Sequence, residues 1–469
     1  MFNSLIILTV IVAFYVVQGL SPPKNAFVST LLSDDFLLAA RVLAHNLHQL
    51  HPEIPYLILY TDGVNNRSVD LLGRHPNVQL KQVERIDTPQ LATHRAKKFQ
   101  YTKINLWSLT DFKQFVYIDL DIILIDHIDE LFRCGSFCAS LRHSDSFNSG
   151  VMVIQPNFEI YADMINKTNA LESYDGGDQG FLNSYFWELK YAPMYRPNKN
   201  QSISNNIQRL SSAYNYDVGM YYLSGRMLVQ PKLIHFTLAF VKPWHWYGYP
   251  LFDLNWHWLS NRMDMERTYQ PIDSALNLCV FIKSFLTFLL LFILYQLSGH
   301  VQKCPARSEL NFSPLTFIAF CPPINVLERK VTPIYIFSMA LWLSLKLTPM
   351  QLIPHIGWCL FTVNFSLSMS LLTATYSRLR FSVSHLFWTF LLILLLLTCI
   401  HLIGWHVMIR IAKPTNRILT VVSILFIYAT SVYHLLGWLL YGQVPERCRR
   451  WTSKDGEEEM SKLTCIEGV

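Results

Sequence analysis

The sequence predicts an α/β domain built on a doubly wound sheet, followed by an all-α bundle of transmembrane helices. Three observations carry that expectation. Strand-like apolar runs alternate with helical stretches up to about Asp273. Beyond Asp273 the composition changes, and apolar runs of membrane-spanning length dominate. Within the first part, FVYIDLDIILIDHIDELF (Phe115–Phe132) sets Asp119 and Asp121 between two β-branched runs.

The chain opens with MFNSLIILTVIVAFYVVQGLSPP. Leu5–Val17 is an apolar core of signal-peptide length, short for a membrane span, with Gly19 and Ser21 behind it. No Lys or Arg precedes it, so residues 1–22 read as a signal peptide or a retained anchor. Either would deliver residues 23–273 to the secretory lumen.

Ala26–Leu32 reads as the first strand, Phe36–Leu47 as a helix, and Tyr56–Thr61 and Val78–Val83 as further strands. Doubly wound sheets bind ligands beyond the carboxyl ends of their strands, which makes the turn Thr30–Phe36 a candidate nucleotide site. A helix is expected from Lys103 to about Phe112, with Leu106 and Trp107 facing inward.

The run from Phe115 onward reads as one strand of a parallel sheet covered on both faces. Carboxylates at i and i+2 on its end are costly to bury unless paired. A divalent cation shared with a diphosphate would meet that need, since hard oxygen ligands suit Mg or Mn. Asp-x-Asp triplets also occur on ordinary solvated turns. Cys134 and Cys138 can close a local disulfide in an oxidising lumen, and no second ligand pair has the spacing of a zinc site.

Asn148-Ser149-Gly150 precedes the apolar strand VMVI. A carboxamide both donates and accepts, which suits sugar hydroxyls, although Asn beside Gly also suits a turn. Asp175 to Gly180 form a tight turn that presents two carboxylates and a carboxamide at the start of a helix. His235 ends the strand LIHF, and Lys242 lies in VKPW. Trp244, Trp246, Tyr247 and Tyr249 crowd after it, as in an interfacial belt or an acceptor wall.

Spans are expected at about 275–298, 331–351, 352–375, 385–410 and 417–441, giving a transmembrane region over 274–441 and a cytosolic tail at 442–469. LLILLLLTCIHLIGW is apolar all round, which suits a membrane span better than a buried soluble helix. With a lumenal domain, Lys303, Arg307, Arg329, Lys330, Arg378, Arg380, Arg447, Arg449 and Arg450 fall inside, as the positive-inside tendency asks. Arg410, Lys413 and Arg417 fall on the lumenal side and break it. Asn66, Asn166 and Asn200 head glycosylation triplets consistent with the lumen. Of all residues 51% are hydrophobic and 15% charged, and the formal charge of +6 is scattered rather than striped, so nucleic acid is not an expected partner.

The stretch Tyr101–Phe132 resembles glycogenin and other family 8 glycosyltransferases nearly residue for residue. FNSGVMVIQP (Phe147–Pro156), YDGGDQGFLNSYF (Tyr174–Phe186) and HFTLAFVKPWHW (His235–Trp246) follow in the family's order. The resemblance implies a GT-A fold and metal-dependent, retaining transfer from a UDP-sugar. It implies metal ligands Asp119, Asp121 and His235, holding Mn2+ or Mg2+, with imidazole suiting Mn better. Lys103, Asp178, Gln179 and Lys242 would carry catalysis. Lys103 would lie near the donor, Asp178 closest to the reacting sugar, and Lys242 against the departing diphosphate. Thr30, Leu32, Ser33 and Phe36 would hold uridine, and Leu120, Asn148, Ser149, Asp175 and Gly177 complete the implied donor site.

Two departures mark a subfamily: Ala239 replaces a familiar Gly, and His235 to Lys242 is one residue longer than in glycogenin. RLSSAYNYDVGMYYL (Arg209–Leu223), KPWHW and the apolar tail are similar to plant inositol phosphorylceramide glucuronosyltransferases. That similarity implies a membrane lipid acceptor, glucuronate or a hexose as the transferred sugar, and a multi-pass Golgi protein. Self-glucosylation on Tyr214 or Tyr216, and a polytopic transporter or scaffold with a degenerate transferase domain, are the alternatives.

Overall fold

The computed structural model describes residues 25–89, 98–142, 145–197, 207–269, 278–298, 326–376, 383–411 and 413–441. The expected signal peptide or anchor, the triplet at Asn200, the basic residues Lys303, Arg307, Arg378 and Arg380, and the tail lie outside the described residues. The chain forms two units. The first comprises Met1–Ala275 together with Met350–His355 and Met408–Leu419, and the second holds the rest from Leu276 on.

The first unit contains strands β1 (Asn25–Leu31), β2 (Tyr56–Tyr60), β3 (Val78–Gln82), β4 (Gln114–Ile118), β5 (Ile122–Leu124), β6 (Phe137–Leu141), β7 (Phe147–Ile154), β8 (Ile207–Leu210), β9 (Tyr216–Asp217) and β10 (Leu233–His235). Its helices are α1 (Leu37–Leu50), α2 (Asn66–Gly73), α3 (Phe158–Lys167), α4 (Asp178–Tyr185), α5 (Val218–Ser224) and α6 (Asn255–Thr268). Seven strands make one sheet in the order β3-β2-β1-β4-β7-β6-β8, and β5-β10-β9 make a second.

Period-2 alternation explains the layering. Phe27, Tyr56, Ile58, Val116 and Ile118 join one apolar core, with α1 residues Leu38, Val42 and Leu43. Their neighbours Ala26, Val28, Leu57, Leu59, Phe115 and Tyr117 join the other, with Trp107 and Phe181. The sheet is thus covered on both faces.

It is mixed rather than parallel. β4 runs parallel to β1 but antiparallel to β7. The expected single strand from Phe115 is two: β4 stops at Ile118, and β5 restarts in the second sheet, with Ile122 opposite His235. Asp119-Leu120-Asp121 is the corner between them. Both strands are fully buried, so no change of pattern announces the break. The expected helix from Lys103 is instead a 3-10 helix, Gln100–Ser108, and Asn148 to Gly150 lie inside β7 rather than before it.

The second unit is helical, with α7 (Leu278–Ser298), α8 (Val326–Leu347), α9 (Pro354–Tyr376), α10 (Val383–Arg410) and α11 (Pro414–Tyr441) supplying its long segments. Among the described residues, Cys279–Leu297, Pro354–Tyr376, Ser384–Arg410 and Pro414–Gly437 are long and apolar enough to cross a membrane. The second expected span, at about 331–351, falls on α8 and is not among them. Glu328, Arg329 and Lys330 near its start, Lys346 near its end and Pro333 within it dilute its apolar character. Buried hydroxyls on α9 donate back along the helix, Thr362 to Trp358 O (2.6 Å), Ser366 to Thr362 O and Ser370 to Ser366 O (both 2.8 Å), which satisfies them without partners elsewhere.

Two connectors between long helices belong to the first unit. Trp246 N–H donates to Met350 O (3.2 Å), Arg262 Nη1 to Gln351 O (2.9 Å), and Gln351 Nε2 to Asp35 O (2.9 Å). Arg417 Nη1 lies 3.1 Å from Asp253 Oδ2, and its Nε donates to Ile411 O. One of the three basic residues that break the charge rule therefore has a partner in the sheet-bearing unit.

Candidate active site

The acidic corner is fixed by backbone first. Asp119 N–H donates to Gly150 O (2.8 Å), and Phe236 N–H to Asp121 O (2.9 Å). Asp119 Oδ1 accepts from Tyr117 OH (2.6 Å) and meets Lys103 Nζ at 3.2 Å. Tyr117 OH also meets Thr30 Oγ1 at 2.9 Å, which ties the end of β1 to the corner. Leu32, Ser33 and Phe36 lie on the following turn, where Phe36 is exposed and edges onto Trp244.

Lys103 is buried and reaches Asp178 Oδ2 at 2.6 Å. Burial alone would pull its pKa down, but Asp119 and Asp178 outweigh it and hold the ammonium well above its ordinary value. Asp178 opens α4, and its Oδ2 also accepts from Ser149 Oγ (2.9 Å). Asp121 Oδ1 lies 3.2 Å from His235 Nε2, and Asp121 Oδ2 lies 2.8 Å from Lys242 Nζ. Burial raises this carboxyl, yet His235 and Lys242 prevail and hold it far below the usual range.

Asp119, Asp121 and His235 each offer a ligand atom within 4.8 Å of the others'. Two carboxylates and an imidazole suit a hard or borderline divalent cation, so the residues present fit one. Gly150 makes room for the set. A Cβ there would stand 2.4 Å from His235 Cε1, so a side chain at this position would displace the imidazole.

Carboxamides line the other side. Asn148 Nδ2 donates to Gln179 Oε1 (3.0 Å), and Gln179 Nε2 to Tyr174 OH (2.6 Å). Asn148 Oδ1 accepts from Gly150 N–H (2.8 Å) and from Asn215 Nδ2 (2.9 Å). Asn215 Oδ1 faces His235 Nδ1 at 2.8 Å. Sequence reasoning missed Asn215, which sits between the two tyrosines it did weigh. Asp175, expected at the donor, uses Oδ1 to accept from Ser173 Oγ, Gly177 N–H and Gly180 N–H (2.9–3.0 Å), and so shapes the turn into α4.

One expectation needs correction. Trp244, Trp246 and Tyr249 are buried rather than displayed as a belt, and Trp244 packs 5.8 Å from Trp258. The exposed apolar side chain nearby in sequence is Phe240, 88% exposed, between His235 and Lys242. Tyr214 and Tyr216 are buried as well. Tyr214 OH donates to Glu130 Oε1 (2.7 Å), and Tyr216 OH accepts from Leu228 N–H (3.4 Å), so neither hydroxyl is presented as an acceptor. The expected disulfide joins Cys134 and Cys138.

Residues 139–247 match the family described as glycosyl transferase family 8, a stretch that holds Asn148, Asp178, Gln179, Asn215, His235 and Lys242. The chain is 35% identical over 258 residues to inositol phosphorylceramide glucuronosyltransferase 1 of Arabidopsis thaliana, covering 53% of this chain and 48% of that protein. It is 30% identical over 243 residues to glycogenin-1 of Caenorhabditis elegans, covering 47% and 51%. The chain spans about half the length of these two curated relatives. On its motifs and this match, residues 139–247, within the first unit, carry a glycosyltransferase family 8 domain.

Proposed function

We propose that this domain is a metal-dependent, retaining glycosyltransferase that moves glucuronate or another hexose from a UDP-sugar to a membrane lipid, with inositol phosphorylceramide as first choice. The observation that carries the reading is the convergence of Asp119, Asp121 and His235, flanked by the buried ammonium of Lys103 and by Lys242. Mn2+ or Mg2+ held by these three residues would neutralise charge on the leaving diphosphate. Lys242 lies on the same carboxylate and would add a compact positive charge to that oxygen cluster. Asn148, Gln179 and Asp178 would hold sugar hydroxyls, and the ion pair with Lys103 holds Asp178 in place. The acceptor would attack from the face the diphosphate leaves.

The membrane-spanning helices and exposed Phe240 favour a lipid acceptor, and the name of the plant relative suggests which lipid. The connectors Met350–His355 and Met408–Leu419 group with the domain, which favours five crossings with both connectors on the domain's side. The intact acidic, carboxamide and lysine sets speak against a degenerate domain on a transporter. A donor screen tests the reading. Purified protein in detergent is given UDP-glucuronate, UDP-glucose and UDP-galactose with Mn2+, and UDP release is measured with and without inositol sphingolipid. Release that neither metal nor lipid stimulates, with any donor, would contradict it.

A further inference from the structure

We infer that Asn215 is a positioning residue that fixes His235 as its Nδ1–H tautomer and joins the metal site to the sugar-side carboxamides in one directed hydrogen-bond chain. The inference rests on the proposed metal-dependent reading and adds a group outside the ligand set.

Its direction is set by one backbone amide. Gly150 N–H can only donate, and it points at Asn148 Oδ1 from 2.8 Å. That contact orients the Asn148 carboxamide, because its NH2 end cannot accept. The Asn215 amide atom 2.9 Å from Asn148 Oδ1 must then be its donor end, Nδ2. Asn215 must therefore turn Oδ1 toward His235 Nδ1, 2.8 Å away. An oxygen there can only accept, so Nδ1 carries the proton, and Nε2, 3.2 Å from Asp121 Oδ1, is the nitrogen that would face the cation shared with that carboxylate. In the other direction Asn148 Nδ2 donates to Gln179 Oε1, and Gln179 Nε2 to Tyr174 OH. Asn215 and His235 are 7% and 5% exposed, so water competes weakly for these contacts.

The test compares full-length wild type with Asn215→Leu and Asn215→Asp, each in detergent and checked for folding by circular dichroism. Mn2+ is titrated in the presence of UDP and followed by electron paramagnetic resonance, with no turnover involved. Leu cannot accept from Nδ1–H, so Mn2+ affinity should fall on the order of 10–100-fold, the range for losing a ligand's supporting partner. Asp still accepts from Nδ1–H and should keep affinity within a few-fold of wild type. Asp cannot donate to Asn148, so the same variant should raise the KM for the donor found in the screen more than it lowers kcat.

Wild-type affinity in folded Asn215→Leu would overturn the inference and leave the metal reading standing. Loss of affinity in Asn215→Asp equal to that in Asn215→Leu would overturn the tautomer assignment. Failure of wild type itself to bind Mn2+ would bring down the metal reading, and the inference with it.

Discussion

Lys103 and Asp178 form a buried ion pair, Nζ to Oδ2 2.6 Å, with 9% and 11% of their side chains exposed. Lys103 also meets Asp119, so one ammonium serves two carboxylates. Removing it leaves both without that charge in a poorly solvated place, which costs about 3–5 kcal/mol for a buried pair. Lys103→Met should therefore lower stability by that order as well as abolish turnover. Asp178→Asn should lose turnover at a smaller stability cost, since Lys103 keeps Asp119. Thermal unfolding of the three proteins in one detergent checks the order, and an unchanged Lys103→Met transition would contradict it.

Tyr214 and Tyr216 are expected to serve packing rather than to accept sugar. Tyr214→Phe removes one hydrogen bond to Glu130, which keeps its ion pair with Lys232 at 2.6 Å, so the cost should be about 1 kcal/mol. The Tyr214→Phe, Tyr216→Phe double variant should retain most transfer to lipid. Intact-mass measurement of wild type after incubation with donor should show no added hexose on these residues. Sugar found on either one, with activity lost in the double variant, would favour self-modification.

Acid should destabilise the domain through His75. Arg41 Nε donates to its Nε2 at 3.2 Å, and burial, with the charges of Arg41, His45 and His48, pulls its pKa down to about 3. An unfolded histidine titrates near 6.5, so between these values the unfolded chain binds the extra proton. The stabilisation is complete above about pH 6.5 and is lost as pH falls toward 3, at up to about 1.4 kcal/mol per pH unit for one proton. His75→Phe should flatten that part of the stability profile. Parallel profiles for wild type and variant would contradict the assignment.

Arg417 links the second connector to Asp253, whose Oδ2 also accepts from Tyr221 OH (2.8 Å). The Asp253 side chain is a quarter exposed, so the pair lies between the few tenths of a kcal/mol of exposed pairs and the cost of buried ones. Arg417→Leu should destabilise the domain by about 1–2 kcal/mol in thermal unfolding. Truncation after Asp273 removes Arg417 and Gln351 together. Hydrolysis of UDP-sugar should then fall along with transfer to lipid, and wild-type hydrolysis in the truncated protein would show the connectors to be dispensable.

The candidate cluster was legible because Asp119 and Asp121, Asp178 with Gln179, and His235 with Lys242 each sit in a short, distinctive block that resembles a known family. The break between β4 and β5 was not, since both strands are buried and apolar residues resume directly after Asp121. Asn215 was hidden for another reason. Its meaning lies in contacts to Asn148 and His235, 67 and 20 residues away, which no spacing reveals. The aromatic cluster misled because Trp244 and Trp246 suit an interface and a core equally well in composition. The expected span at 331–351 is less apolar than the other four, since α8 is apolar in its middle and charged near its ends.

The central claim is that Asp119, Asp121 and His235 serve transfer from a UDP-sugar to a lipid. Its most direct test is transfer of radiolabelled glucuronate from its UDP donor to inositol phosphorylceramide in proteoliposomes, with wild type and Asp121→Asn, before and after chelation by EDTA. The account predicts labelled lipid from wild type with Mn2+, its loss on chelation and recovery on Mn2+ addition, and a reduction of at least about a hundredfold in Asp121→Asn, several kcal/mol of lost charge stabilisation. Labelled lipid formed by Asp121→Asn at the wild-type rate, or undiminished by EDTA, would contradict it.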